Sequence, residues 1–197
     1  MLDLADPIAV LLAAADAFGK AGIEVAAYGG LALAAYGTPR ETRDADLAVV
    51  SGAGAEAVSA LATAGIESIV AFDRVRFGGN RVTRVTLIPT AGAADLNTVD
   101  LVEPLSSHYA HDVLTRSYAG ILRGQPLRIV TPEDFVIMKL LSTRERDLDD
   151  AVAVLSALAS RMDVSFLDGE IAALAVEIAD HPIADRYRRI RSTPGSG

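Results

Sequence analysis

Behind Asp6-Pro7, apolar residues recur at helical spacing: Ile8, Leu11, Leu12, Ala15 and Phe18 share one face. An aspartate cap followed by proline at the first helical position is a helix start, and Gly22 stops the run. Residues 24–28 then read as a short buried strand, Gly29-Gly30 as a tight turn, and 31–36 as a short helix ended by Gly37. A polar loop over 38–43 leads into a strand at 44–50, a helix at 55–64 and a strand at 68–73. Two alternating runs, 74–77 and 81–88, flank Gly78-Gly79-Asn80 and predict a hairpin.

Further on, 98–102 reads as a strand, 104–113 as helical, and 118–122 with 127–130 as a second hairpin around Gly124. Thr131-Pro132-Glu133-Asp134 opens a helix through Leu141, and a further helix runs from about Asp147 to Ser160. Residues 165–179 and 183–190 complete a helical end. The order, mixed elements first and helices afterwards, predicts an α+β fold: a mixed sheet flanked by helices, with a helical C-terminal region. The division it suggests is 1–130 for a catalytic unit, 131–191 for helices contributing to its site, and 192–197 for a disordered tail.

At 197 residues the chain can bury one substantial core, and although 51% of it is hydrophobic, much of that is alanine, which suits packed helices. No stretch of about 18 uninterrupted apolar residues exists, so no transmembrane helix is expected. Asp3, Asp6 and Asp16 stand where a signal peptide would be basic and then apolar, which favours a cytoplasmic location. The absence of cysteine excludes disulfides, thiolate metal sites and a cysteine nucleophile. His108, His111 and His181 lack zinc-like spacing and read as surface residues. A net charge of −8 argues against a surface basic all round, though arginines gather at Arg74–Arg84 and Arg186–Arg191.

The segment that carries chemistry is Tyr28-Gly29-Gly30, thirteen residues, then Asp44-Ala45-Asp46-Leu47. On a strand Asp44 and Asp46 share one face while Ala45 and Leu47 point into the core. Two adjacent carboxylates repel unless a cation lies between them, and hard oxygen ligands suit Mg²⁺ held together with substrate phosphates. Gly29 and Gly30, lacking Cβ atoms, allow backbone N–H groups to approach a phosphate, and the short helix behind them aims its positive end at the same anion.

This string resembles the signature of the DNA polymerase β-like nucleotidyltransferase superfamily. The fuller stretch, Gly29-Gly30-Leu31-Ala32 followed by Gly37-Thr38-Pro39-Arg40-Glu41-Thr42-Arg43-Asp44-Ala45-Asp46, is similar to the abortive-infection (AbiE-type) and MenT-type toxin nucleotidyltransferases of bacteria. The resemblance covers roughly residues 25–155. It implies an enzyme using Mg²⁺ or Mn²⁺ on Asp44 and Asp46, with Asp100 as the third metal carboxylate; Asp95 and Asp73 are weaker alternatives. Gly29, Gly30, Arg40 and Arg43 would contact the nucleotide, unless Arg40 and Arg43 serve only to pair with Asp44 and Asp46.

Lys139 stands in an otherwise apolar helix, where an ammonium group is costly unless it meets an anion or stretches to solvent. A bound triphosphate is one such anion. Arg146-Asp147-Leu148-Asp149-Asp150 matches a second signature of the toxin families, a basic residue followed by two acids three apart, here Asp147 and Asp150. The resemblance makes Asp147 a base or a group orienting Lys139, with Asp150 at the nucleotide; favourable placement at a helix start explains the same acids without a function. The implied reaction moves a nucleoside monophosphate from an NTP to the 3′ end of tRNA, as the toxin of a toxin–antitoxin pair with a cognate antitoxin protein. Alternatives are a small-molecule (aminoglycoside-type) or protein nucleotidyltransferase, or an inactive nucleotide-binding module.

Overall fold

A computed structural model describes residues 2–89 and 96–192. The alternative acid Asp95 and all of the expected tail except Ser192 lie outside the described residues. Helix α1 (Pro7–Lys20) begins as expected, with the Asp6 carboxylate accepting from the backbone N–H groups of Ile8 and Ala9. Strand β1 (Val25–Tyr28) then passes directly into α2 (Gly29–Ala32) and a 3-10 turn (Leu33–Tyr36). The helical turn therefore starts on Gly29 itself, where a tight turn was expected before Leu31.

Strand β2 (Ala45–Val49), helix α3 (Gly54–Thr63), and strands β3 (Ser68–Phe77), β4 (Asn80–Leu87) and β5 (Asn97–Pro104) follow. The expected strand at 68–73 and hairpin arm at 74–77 are one strand, kinked where its pairing with β4 shifts register and Arg74 takes φ 47°. Helix α4 (Ser107–Arg116), the hairpin β6 (Tyr118–Leu122) and β7 (Gln125–Ile129), and helices α5 (Pro132–Leu141), α6 (Glu145–Leu158), α7 (Val164–Glu177) and α8 (Ile183–Arg191) complete the chain.

Among the described residues the strands form one mixed seven-stranded sheet, ordered β3-β4-β5-β2-β1-β7-β6. The sheet is parallel at β2/β5 and β1/β7 and antiparallel elsewhere. This is the expected α+β architecture. No helix among the described residues is long and apolar enough to cross a membrane.

Helix α5 carries Lys139 and sets its position. From Asp134 to Leu141 every residue is buried, because α6, α7 and α8 all pack on it. Its two buried charges are both matched: Arg116 of α4 grips Asp134 with two hydrogen bonds of 3.0 and 2.8 Å, and Lys139 meets acids of α6. Thr131 caps the helix, its hydroxyl accepting from the Asp134 N–H at 3.1 Å. Thr131→Ala is expected to cost about 1 kcal/mol in urea denaturation, the usual loss of such a cap.

The other end of α5 is tied to the tip of the β3–β4 hairpin. Gly79 N–H donates to Leu141 O at 2.8 Å, and a Cβ on Gly78, which has φ +66°, would meet the same carbonyl at 2.6 Å. His181 is buried there, with its Nε2 2.8 Å from Leu140 O. It was expected on the surface, but the segment between α7 and α8 folds back over the hairpin tip and gives the imidazole a carbonyl partner.

Candidate active site

Residues from β1, β2, β5, the 38–44 loop, the hairpin tip and the start of α6 enclose a cleft of about 690 Å³. Parallel pairing of β2 with β5 sets Asp46 opposite Asp100, and antiparallel pairing of β1 with β2 sets Tyr28 opposite Asp46. Strand alternation puts Asp44 and Asp46 on the cleft side, and Ala45 and Leu47 are buried on the other, as the sequence predicts. Asp44 is half exposed at the strand start and accepts from the Thr98 hydroxyl at 3.2 Å.

Asp46 lies deeper. Burial, and then the charges of Asp100, Asp44 and Asp147, push its carboxyl up to about 7, against the opposing pull of Lys139. The carboxylate rests directly on Gly29: a Cβ there would stand 1.9 Å from Asp46 Oδ2, and the backbone has φ +66°. A Cβ on Gly30 would meet Thr42 at 2.7 Å. Both glycines are buried, and the contacts that require them come from the acidic strand and the loop before it.

Asp100 is the most buried of the three acids, its side chain 4% exposed. Arg84, its register partner on β4, donates to both of its oxygens, each at 2.7 Å. Arg84 also stands 4.0 Å from Asp44 and lies over the Phe72 ring. Among the described residues no three acidic or imidazole groups converge closely enough to hold a metal ion between them. The expected third ligand is thus already engaged by a guanidinium.

The opposite wall is a second charged cluster. Lys139 Nζ is 2.5 Å from Asp147 Oδ1 and 2.9 Å from Asp150 Oδ2, and the rings of Tyr28 and Phe135 flank it with centroids at 5.4 Å. Asp147 and Asp150, one helical turn apart on α6, reach the same ammonium group. Arg40 closes the cluster with hydrogen bonds of 2.8 and 2.9 Å to Asp150. Burial pulls the Asp150 carboxyl up, but Arg40 and Lys139 together hold it below the usual carboxylate range. Tyr28 keeps its proton far above the ordinary range, first because it is buried and then because Asp147 and Asp46 are near.

The predicted residues Asp44, Asp46, Asp100, Arg40, Arg43, Lys139 and Asp147 all line this one cleft. Asp150 stands behind it, reaching the cleft through Lys139 and Arg40, and Gly29 and Gly30 lie beneath the acidic strand. Neither Arg40 nor Arg43 is paired with Asp44 or Asp46: Arg40 turns to Asp150, and Arg43 is exposed at the rim without a carboxylate among the described residues. Arg144 and Arg146 stand at the rim in the same condition. Arg144 and Ser142, whose hydroxyl donates to Asp147 at 2.5 Å, also belong to the site, as do Tyr28 of the glycine motif and Arg84 of the first arginine cluster. Arg144 and Ser142 were legible as neighbours of the acidic motif, whereas Arg84 depended on the β4/β5 register.

Arginines of the two clusters pair with carboxylates of the chain itself. Arg74 and Arg81 both bind Glu103, at 2.7 and 3.1 Å, and Arg76 binds Asp180 at 2.7 Å. On α8, Arg186 and Arg189 pair with Glu145, Arg188 with Asp185 and Arg191 with Asp168.

No protein-family model and no curated protein matches the chain. Solved structures do resemble it. An antigenic nucleotidyltransferase-like protein from Paracoccidioides brasiliensis superposes with a TM-score of 0.51 at 18% identity, over 92% of this chain and 91% of that one. The antibiotic-resistance factor ANT(2'')-Ia superposes with a TM-score of 0.50 at 14% identity, over 88% of this chain and 97% of that one. At such identities the likeness is one of fold, and the fold is that of nucleotidyltransferase-like proteins.

Proposed function

We propose that the chain is a metal-dependent nucleotidyltransferase, moving a nucleoside monophosphate from an NTP to an acceptor hydroxyl. The observation that carries this reading is the meeting, in one cleft, of Asp44 and Asp46 with the cations Arg43, Lys139, Arg144 and Arg146. A half-buried carboxylate pair that repels itself calls for a cation, and rim arginines that meet no carboxylate among the described residues call for an anion. A triphosphate with its Mg²⁺ or Mn²⁺ answers both.

Asp44 and Asp46 are the residues that would hold the ion, which supplies charge neutralisation on the phosphate oxygens. Arg43, Arg144 and Arg146 would bind the β- and γ-phosphates, and Lys139, steered by Asp147 and Asp150, the phosphate lying deepest. In the reaction the acceptor oxygen bonds to the α-phosphorus and the bond to the bridging oxygen of the β-phosphate breaks. Pyrophosphate leaves, and the hydroxyl proton passes to a carboxylate of the cleft or to water.

For the acceptor, the net charge of −8 favours a cationic small molecule of the aminoglycoside type over a polyanion. The fold likeness to an antibiotic-resistance factor agrees with that choice. Transfer to the 3′ end of tRNA, as a toxin with a cognate antitoxin, is the competing reading; it rests on the motif Gly29-Gly30 to Asp46 and on Arg146 to Asp150.

The test incubates the full chain with each of four α-³²P-labelled NTPs, Mg²⁺ or Mn²⁺, and in turn aminoglycosides, total tRNA and protein. Label on an aminoglycoside supports the preferred acceptor, and label on tRNA replaces it. Absence of transfer from every NTP to every acceptor, together with no metal-dependent nucleotide binding, sinks the enzyme reading. In thermal unfolding, NTP and Mg²⁺ supplied together at about 100 times Kd are expected to stabilise the chain by about 2.7 kcal/mol.

A further inference from the structure

A divalent-ion site with three carboxylates offers ligands for two ions, one at the acceptor and one at the leaving phosphates. Here the third carboxylate has a different partner. Arg84 and Asp100 face each other across β4 and β5, and both oxygens of Asp100 accept from the guanidinium at 2.7 Å. The fork geometry is bidentate, the acid is 4% exposed, and the guanidinium lies over the Phe72 ring, 5.6 Å from its centroid. A buried pair of this kind is strongly resistant to losing one member, because the other would remain as an uncompensated charge.

Charge balance points the same way. With all three ionised, Asp44, Asp46 and Asp100 carry three negative charges, and Arg84, 4.0 Å from Asp44 as well, offsets one of them. What is left matches one divalent ion. Lysine would offer a single mobile charge at this position, whereas arginine stays charged at any working pH and covers both oxygens at once.

We propose that Arg84 stands in for a second metal ion, so that the cleft takes a single divalent ion on Asp44 and Asp46 while Asp100 remains bound to the guanidinium. The inference rests on the nucleotidyltransferase reading. Arg84 then supplies fixed positive charge beside the acidic strand but no open coordination position. Asp100 is a positioning residue for Arg84 rather than a ligand.

Counting bound Mn²⁺ by electron paramagnetic resonance tests this, using the full chain saturated with α,β-methylene analogues of the four NTPs. The wild-type chain is expected to hold one Mn²⁺, and Asp100→Asn is expected still to hold one. Arg84→Gln, which releases Asp100, is expected to hold two, and Arg84→Lys, which keeps a charge on Asp100, one. Circular dichroism checks that each variant is folded, and the Asp100→Asn count stands even if Arg84→Gln fails to fold. Two ions in the wild type, an ion lost on Asp100→Asn, or a single ion in folded Arg84→Gln overturns the inference and leaves nucleotidyl transfer standing. No bound Mn²⁺ with any analogue overturns the parent reading and this one with it.

Discussion

Asp46→Asn is expected to lower nucleotidyl transfer by on the order of 10³-fold, the usual size of losing one group that stabilises transition-state charge, and at the same time to make the metal-free protein more stable. The two effects have one cause. Without a bound cation, burial and the charges of Asp100, Asp44 and Asp147 outweigh the pull of Lys139 and raise the Asp46 carboxyl to about 7. A carboxyl raised in the folded state keeps its proton there while the unfolded chain has lost it. Stability is therefore present in full below about pH 4, declines as pH rises to about 7, and stays at the lower level above that. Asparagine never ionises and escapes the decline.

A rise of this size would be worth at most roughly 4 kcal/mol, and solvent reaching the half-buried group brings the expected gain to roughly 1–2 kcal/mol. Thermal unfolding in EDTA at pH 4.5 and pH 8 measures it. The variant should melt above the wild type at pH 8 and close to it at pH 4.5. Adding Mg²⁺ with nucleotide at pH 8 should reverse the order. An equal gap at both pH values would mean that the substitution acts through packing against Gly29, and undiminished transfer would remove Asp46 from the metal site.

The elements of the fold were largely legible because their signals are local. Asp6-Pro7, Thr131-Pro132 and the Gly78-Gly79 turn each declare an end within a few residues, and the structure places α1, α5 and the hairpin accordingly. The alternation that sets Asp44 and Asp46 on one face is equally local. What sequence could not supply was register. Whether Asp100 is bare or covered depends on Arg84 lying opposite it, sixteen residues away on a neighbouring strand, and no pattern along the chain encodes that pairing. Likewise Arg40 was weighed against Asp44 and Asp46, its neighbours in sequence, but its carboxylate comes from Asp150, a hundred and ten residues on. The buried state of His181 has the same origin, since the chain returns over the hairpin tip only after helices α4 to α7. Gly29 was expected for phosphate approach; its contact with Asp46 shows that the two ends of the motif also need each other sterically.

The second large effect is expected at Lys139, where stability and function are carried by the same ammonium group and can be separated. Lys139→Met keeps the length and apolar stem of the side chain but leaves Asp147 without a cation and Asp150 with Arg40 alone. Breaking a buried pair by removing one partner costs about 3–5 kcal/mol. Arg40 still covers Asp150, and Ser142 still donates to Asp147, so the lower part of that range is expected in urea denaturation. Nucleotide binding should be lost as well, but instability alone could cause that. The double variant Lys139→Met with Asp147→Asn removes the stranded charge together with its partner and is expected to recover most of the lost stability, because a buried ion pair replaced as a unit is often close to neutral. If Lys139 contacts phosphate, calorimetric titration of this restabilised protein with each NTP and Mg²⁺ still shows no binding. Recovery of binding along with stability would instead make Lys139 a structural charge, held by Asp147 and Asp150 to keep α5 and α6 together, and would leave the phosphates to Arg43, Arg144 and Arg146 at the rim.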